Sequence, residues 1–141
     1  MLDVDVDSLG TGIVVPQVSG GTFSGNYALS QDGIYVSSTA GSFFDIVGQV
    51  FSDGTSTLTG KADFNDINNT GQHANVTVTG TYAADGAHAG RATAQTTVNG
   101  AATPNHLAVY QASSALLLHV DVDETGDAVA NVSVGVLEKQ Q

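Results

Sequence analysis

The strongest constraint in this chain is an alternation of apolar and polar residues with a period of two, broken at short intervals by Asp-Gly and Asn-Gly pairs. Leu58, Gly60, Ala62 and Phe64 fall on one side of an extended chain, and Thr57, Thr59, Lys61 and Asp63 on the other. Successive side chains of a strand point to opposite faces, so this is a strand with one face in a core and one in water. Val76, Val78, Gly80 and Tyr82 read inward against Asn75, Thr77, Thr79 and Thr81. By the same rule Leu116, Leu118, Val120 and Val122 read inward against Leu117, His119, Asp121 and Asp123. Asp53-Gly54, Asp85-Gly86 and Asn99-Gly100 accept the positive φ of tight hairpin turns, and Asp32-Gly33, Thr70-Gly71 and Thr125-Gly126 are read as turns too.

These signals predict strands near 23–29, 43–52, 56–65, 73–83, 88–98, 105–112, 115–123 and 127–137, preceded by a short one near 2–7. Eight hairpin-connected strands form an all-β, antiparallel, mostly meandering sheet closed into a barrel, with a two-sheet β-sandwich as the alternative. Closure removes the strand edges that invite aggregation. Gly60, Gly80 and Gly90, read as strand-middle positions, are the kinks a coiled sheet needs. Pro16 and Pro104 fall between strands.

One internal repeat bears on domain organisation. Leu2-Asp3-Val4-Asp5-Val6-Asp7-Ser8-Leu9-Gly10 matches Leu118-His119-Val120-Asp121-Val122-Asp123-Glu124-Thr125-Gly126 at six of nine positions. Low-complexity Val/Asp alternation can arise twice by chance; the sharper reading makes residues 1–17 an N-terminal strand and linker, the tail of a preceding repeat, followed by a single barrel domain over 18–141.

The series Gly25-Asn26-Tyr27-Ala28, Asp53-Gly54 followed by Leu58-Thr59-Gly60, Asp66-Ile67-Asn68, Gly80-Thr81-Tyr82 and Ser113-Ser114-Ala115-Leu116-Leu117 resembles a β-barrel module repeated in very large secreted proteins of soil bacteria. The likeness covers residues 19–137 and rests on turn and strand signatures. It implies an extracellular or cell-surface module of unassigned function and brings no catalytic residues with it.

Charge narrows the partners. With 14 acidic and 3 basic side chains the net charge is -11, which repels phosphates and so argues against nucleic acid and anionic membranes. Apolar stretches fall short of the roughly 18 residues a spanning helix needs, so no membrane insertion is expected. The chain has no Cys, which excludes disulfides and thiolate metal sites.

Chemistry-bearing constellations are sparse. Asp5 and Asp7, with Asp3, share one face of the first strand, and Asp121 and Asp123 share one with His119; hard oxygen ligands of this kind suit Ca²⁺. Carboxylates along one strand face stand about 7 Å apart, too far for neighbours to wrap one ion unaided, and a solvated edge is the competing explanation. No other cofactor is implied. His73, His88, His106 and His119 lack a recognised ligand spacing, no Gly-x-Ser-x-Gly elbow occurs, and sugar-binding aromatics are few, with no Trp and four Tyr. An enzyme is therefore not expected. The inward set mixes Phe44, Phe64, Tyr82 and Leu107 with Gly60, Ala62, Gly80, Ala92 and Ala94, the size alternation of a filled, tapered interior. The outward Thr77, Thr79 and Thr81 are ordinary exposed strand residues that could also face ice or polysaccharide.

What remains is assembly. A Val/Asp strand that imitates a late barrel strand is suited to pairing with a sheet edge, in its own molecule or a neighbouring copy, with Leu2, Val4, Val6, Ile13, Val14 and Val15 as the apolar contacts. The expected function is a structural or adhesive extracellular module that self-associates with identical copies or neighbouring repeats into an array or filament. The alternative is a lipocalin-like or avidin-like barrel holding a small apolar ligand.

Overall fold

A computed structural model describes residues 2–4, 9–11, 15–18, 23–36, 41–66, 71–99, 104–121 and 131–141. Its strands are β1 (Leu2–Val4), β2 (Leu9–Thr11), β3 (Ser24–Val36), β4 (Gly41–Asp53), β5 (Thr57–Asp66), β6 (Gly71–Ala84), β7 (Arg91–Val98), β8 (Asn105–Gln111), β9 (Leu116–Asp121) and β10 (Asn131–Lys139). β3 to β10 form an antiparallel meander in which β10 pairs with both β9 and β3, closing an eight-stranded barrel. The sandwich is not adopted. β1 and β2 form a separate antiparallel two-stranded sheet, Leu2 opposite Thr11 and Val4 opposite Leu9.

The turns show why the hairpins close where they do. Gly54 takes a φ of 82°, and the Asp53 carboxylate accepts the backbone N–H groups of Thr55, Ser56 and Thr57 at 2.8, 2.9 and 3.0 Å. Those three donors hold the carboxyl well below the usual carboxylate range. Asp32-Gly33 is not a turn. β3 runs through it to Val36, with Gly33 opposite both Phe44 and Ser133. A Cβ at Gly33 would collide with the Phe44 ring, so this glycine makes room for a core aromatic. Gly60 and Gly80 are inward mid-strand positions where a Cβ would strike the carbonyls of Gln49 and Gln95 on neighbouring strands. Gly90 instead lies in the turn before β7, at a φ of 80°.

A β-bulge distorts the β5–β6 pairing: Ala62 faces Val76 and Phe64 faces His73, so Ala74 and Asn75 together oppose Asp63. Asn75 adopts a φ of 56°, and its N–H donates to the Asp63 carboxylate at 2.7 Å.

The interior is packed in two connected groups. Tyr27, Val50, Leu58, Leu107, Leu117 and Leu137 fill one half, and Phe44, Ile46, Ala62, Val76 and Val78 the other, with Leu29 touching both. At the first end Phe23 meets Tyr27 and Tyr82 edge to face, at 4.8 and 5.0 Å between ring centres. The Phe23 carbonyl accepts the hydroxyls of Ser52 and Tyr82 at 2.5 and 3.0 Å.

The inward faces of β5 and β6 are those the alternation predicts. β9 is the exception. Leu117, His119 and Asp121 point into the barrel, while Leu116, Leu118 and Val120 point out. Residues directly opposite in an antiparallel ladder share a face, so the neighbours decide. Leu107, Val109 and Gln111 of β8 stand opposite Asp121, His119 and Leu117, and on the other side Leu29 of β3 fixes Leu137 of β10, which fixes Leu117.

Candidate interaction surfaces

Inside the second half of the barrel, β3, β9 and β10 contribute polar side chains. Buried Gln31 donates to the Ser133 hydroxyl at 2.7 Å. His119 is 3% exposed, and neither ring nitrogen has a hydrogen-bond partner among the described residues. Burial without a partner pushes its pKa down to about 4, so the ring is neutral near pH 7. Its space comes from Gly135, directly opposite, where a Cβ would collide with the imidazole. His119 and Gln31 border an internal cavity of about 40 Å³, otherwise lined mainly by Leu, Val and Ile side chains. That holds a few waters at most, far below the roughly 300–1,000 Å³ of small-molecule sites. A hollow of about 230 Å³ at the first barrel end is lined by Phe23, Tyr82, Val109 and Leu117, with Arg91 at its rim. Arg91 is engaged by Asp85 at 2.6 Å and by the Tyr110 hydroxyl at 3.3 Å, while His88 Nδ1 lies 3.0 Å from the same Asp85 carboxylate.

The sequence-predicted residues are placed as follows. Leu2 and Val4 lie in β1, and Val15 is half-buried ahead of the barrel. Val6, Ile13, Val14, Asp5, Asp7 and Asp123 lie outside the described residues. Asp121 is buried on the inner side of β9, so the outward acidic face expected there is not the face β9 presents. Among the described residues no three His, Asp or Glu side chains gather as a metal-binding group. His73 lies over the Phe64 ring at 6.1 Å, His88 in the turn after β6, His106 on β8 and His119 inside, so the four histidines do not converge. Next to the barrel, the Val18 N–H donates to the Gln111 carbonyl at 3.1 Å, and the Gln17–Val18 backbone and side chain fill the space above Gly90.

The outer surface is divided. On β5, β6 and β7 the outward rows are hydroxylic, with Thr59, Thr79 and Thr97 in register and the Thr79 and Thr97 hydroxyls 2.9 Å apart. On β9, and on β10 from Val132 to Val136, they are apolar. Val132, Val134 and Val136 are 57%, 59% and 37% exposed, beside half-buried Leu116, Leu118 and Val120. Across the closing seam Val132 aligns with Ile34 and Phe43, the last 62% exposed. The sequence reading missed this surface because it placed the β9 leucines inside; the signal was Val132-Ser133-Val134-Gly135-Val136, whose small alternate residues suit an interior already filled from β3 and β8. Comparison of the chain with family models, curated proteins and solved structures returns no match.

Proposed function

We propose that the chain is a non-enzymatic structural or adhesive module that assembles with identical copies through its N-terminal strands into an array or filament. One observation carries this reading: every strand of the barrel is paired on both sides, whereas among the described residues β1 and β2 pair only with each other. A sheet of two strands with three residues each is marginal by itself in water, and its outer backbone edges are templates for a further strand. The ribbon leads into the barrel through Val18, anchored on Gln111, so strand addition there would link one barrel to the next. A position outside the cell is supported by the sequence resemblance alone.

The test is light scattering over a concentration series, comparing the full chain with an Asp3→Pro/Gly10→Pro variant that removes ladder donors from β1 and β2 and leaves β3 to β10 untouched. Multimers in the wild type that disappear in a variant with an unchanged circular dichroism spectrum are expected. Equal masses for both would overturn strand-mediated assembly.

A further inference from the structure

The cavity inside the barrel is bordered by apolar side chains with four polar exceptions: Gln31 on β3, Thr96 on β7, Asn105 on β8 and His119 on β9. In the order of the closed sheet β3 and β7 are four strands apart either way, so Gln31 and Thr96 stand on opposite walls. β9 lies midway between those walls, two strands from each, and brings His119 between them. The imidazole is buried, borders the cavity, and has no partner for either nitrogen among the described residues. A neutral imidazole carries one N–H donor and one lone pair, and a buried donor or acceptor left unmade costs its full desolvation. Polar groups at this depth are satisfied almost without exception, by protein or by ordered water.

We infer that this cavity is an internal hydration site, in which ordered water bonds to the His119 imidazole and links it to Gln31 on one flank and Thr96 on the other. The inference is independent of the assembly reading. Gln31 is already positioned for this role: its amide N–H goes to the Ser133 hydroxyl at 2.7 Å, which leaves its carbonyl oxygen as the acceptor it can offer to water. Gly135 belongs to the site as well. A Cβ there would collide with His119 Nε2, so only glycine opposite lets the ring stay inside the barrel.

Size, charge and chemistry select the occupant. About 40 Å³ gives room for roughly two or three waters at ~10–15 Å³ each, and is too little for a small organic ligand. Burial keeps the ring neutral, so it attracts no anion, and among the described residues no group of three His, Asp or Glu gathers to hold a cation. An apolar gas would suit the Val and Leu walls but leave both ring nitrogens unmade. Water supplies a donor and an acceptor at once, and the four polar side chains give it the two to four partners that a buried water needs. Strands paired on both sides enclose it, so it exchanges only when the barrel opens locally and resides far longer than surface water.

Magnetic relaxation dispersion of solvent water, on the full chain at neutral pH, detects such long-lived molecules. Wild type is expected to show their contribution, His119→Leu to lose it, and His119→Gln, which keeps a side-chain donor and acceptor, to retain most of it. Xenon is the complementary reagent for a dry cavity, and is expected to leave the methyl resonances of Val78 and Leu107, which border the space, unshifted in wild type. An undiminished contribution in His119→Leu, or xenon shifts of those methyls in wild type, would overturn the hydration site. His119→Gln losing the contribution as fully as His119→Leu would trace the loss to repacking and overturn it too. Should His119→Leu fail to fold, cross-relaxation from long-lived water to the His119 ring protons of wild type decides: its presence supports the site and its absence removes it.

Discussion

The two outer sides of this barrel use the same backbone geometry for opposite chemistry. On β5–β7 the ladder presents Thr59, Thr79 and Thr97 in one row, while on β8–β10 it presents Tyr110, Leu118 and Val136. The interior does not follow suit in a simple way: behind the threonines lie Leu58, Val78 and Ala94, and behind the valines lie His119 and Ser133. In a closed ladder the side a residue faces is set jointly by both neighbouring strands, so local hydrophobicity can be overruled. The overruled strand then displays outside what other strands hide.

The sharpest way to break this comparison is a pair of adjacent truncations. Leu117→Ala, on the buried side of β9, is expected to cost about 2–5 kcal/mol of unfolding free energy by urea denaturation, and outward Leu118→Ala about 1 kcal/mol. The reverse order would restore the facing that alternation alone assigns to this strand. Next comes the acid response of the inverted side. The His119 pKa is about 4 folded against 6.5 in the open chain, so between these values the unfolded state binds more protons. The His119 contribution to stability therefore falls as pH drops from about 6.5 to 4, a loss of about 3 kcal/mol, and His119→Gln removes that part of the slope in melts across this range. A smaller effect is expected at the β4–β5 turn. Asp53→Ala lowers the melting temperature modestly and Asp53→Asn, which keeps a side-chain acceptor, less so. Smallest is Thr79→Val on the hydroxylic side, which removes one exposed hydroxyl contact and is expected to shift unfolding by no more than about 0.5 kcal/mol.

Much of the barrel is legible in the sequence because its signals are local. Leu58 to Phe64 and Val76 to Tyr82 alternate cleanly, and Asp53-Gly54 combines a residue that tolerates positive φ with a carboxylate that caps the turn. Asp32-Gly33 has the same letters but another role, since Gly33 is required by the Phe44 ring directly opposite it on β4 rather than by its own φ. Nothing local separates the two. The bulge at Ala74–Asn75 and the orientation of β9 are likewise consequences of register, known only once both neighbours are placed. Of the expected assembly residues, Leu2 and Val4 do form a strand, but their partner is Leu9–Thr11, which carries no alternation of its own.

The seam that closes the barrel has a mechanical consequence. β3 and β10 run antiparallel with Tyr27 opposite Lys139, and the Gln140 N–H donates to the Asn26 carbonyl at 2.9 Å, so the domain is entered and left at neighbouring points of one rim. Ladder hydrogen bonds lie across the strands, and tension drawn through those two points acts along the bonds and meets them in succession. In the proposed assembly, load applied between those two points would unzip the module pair by pair instead of loading it in shear, and its extension under modest force would spare the contacts on either side of it.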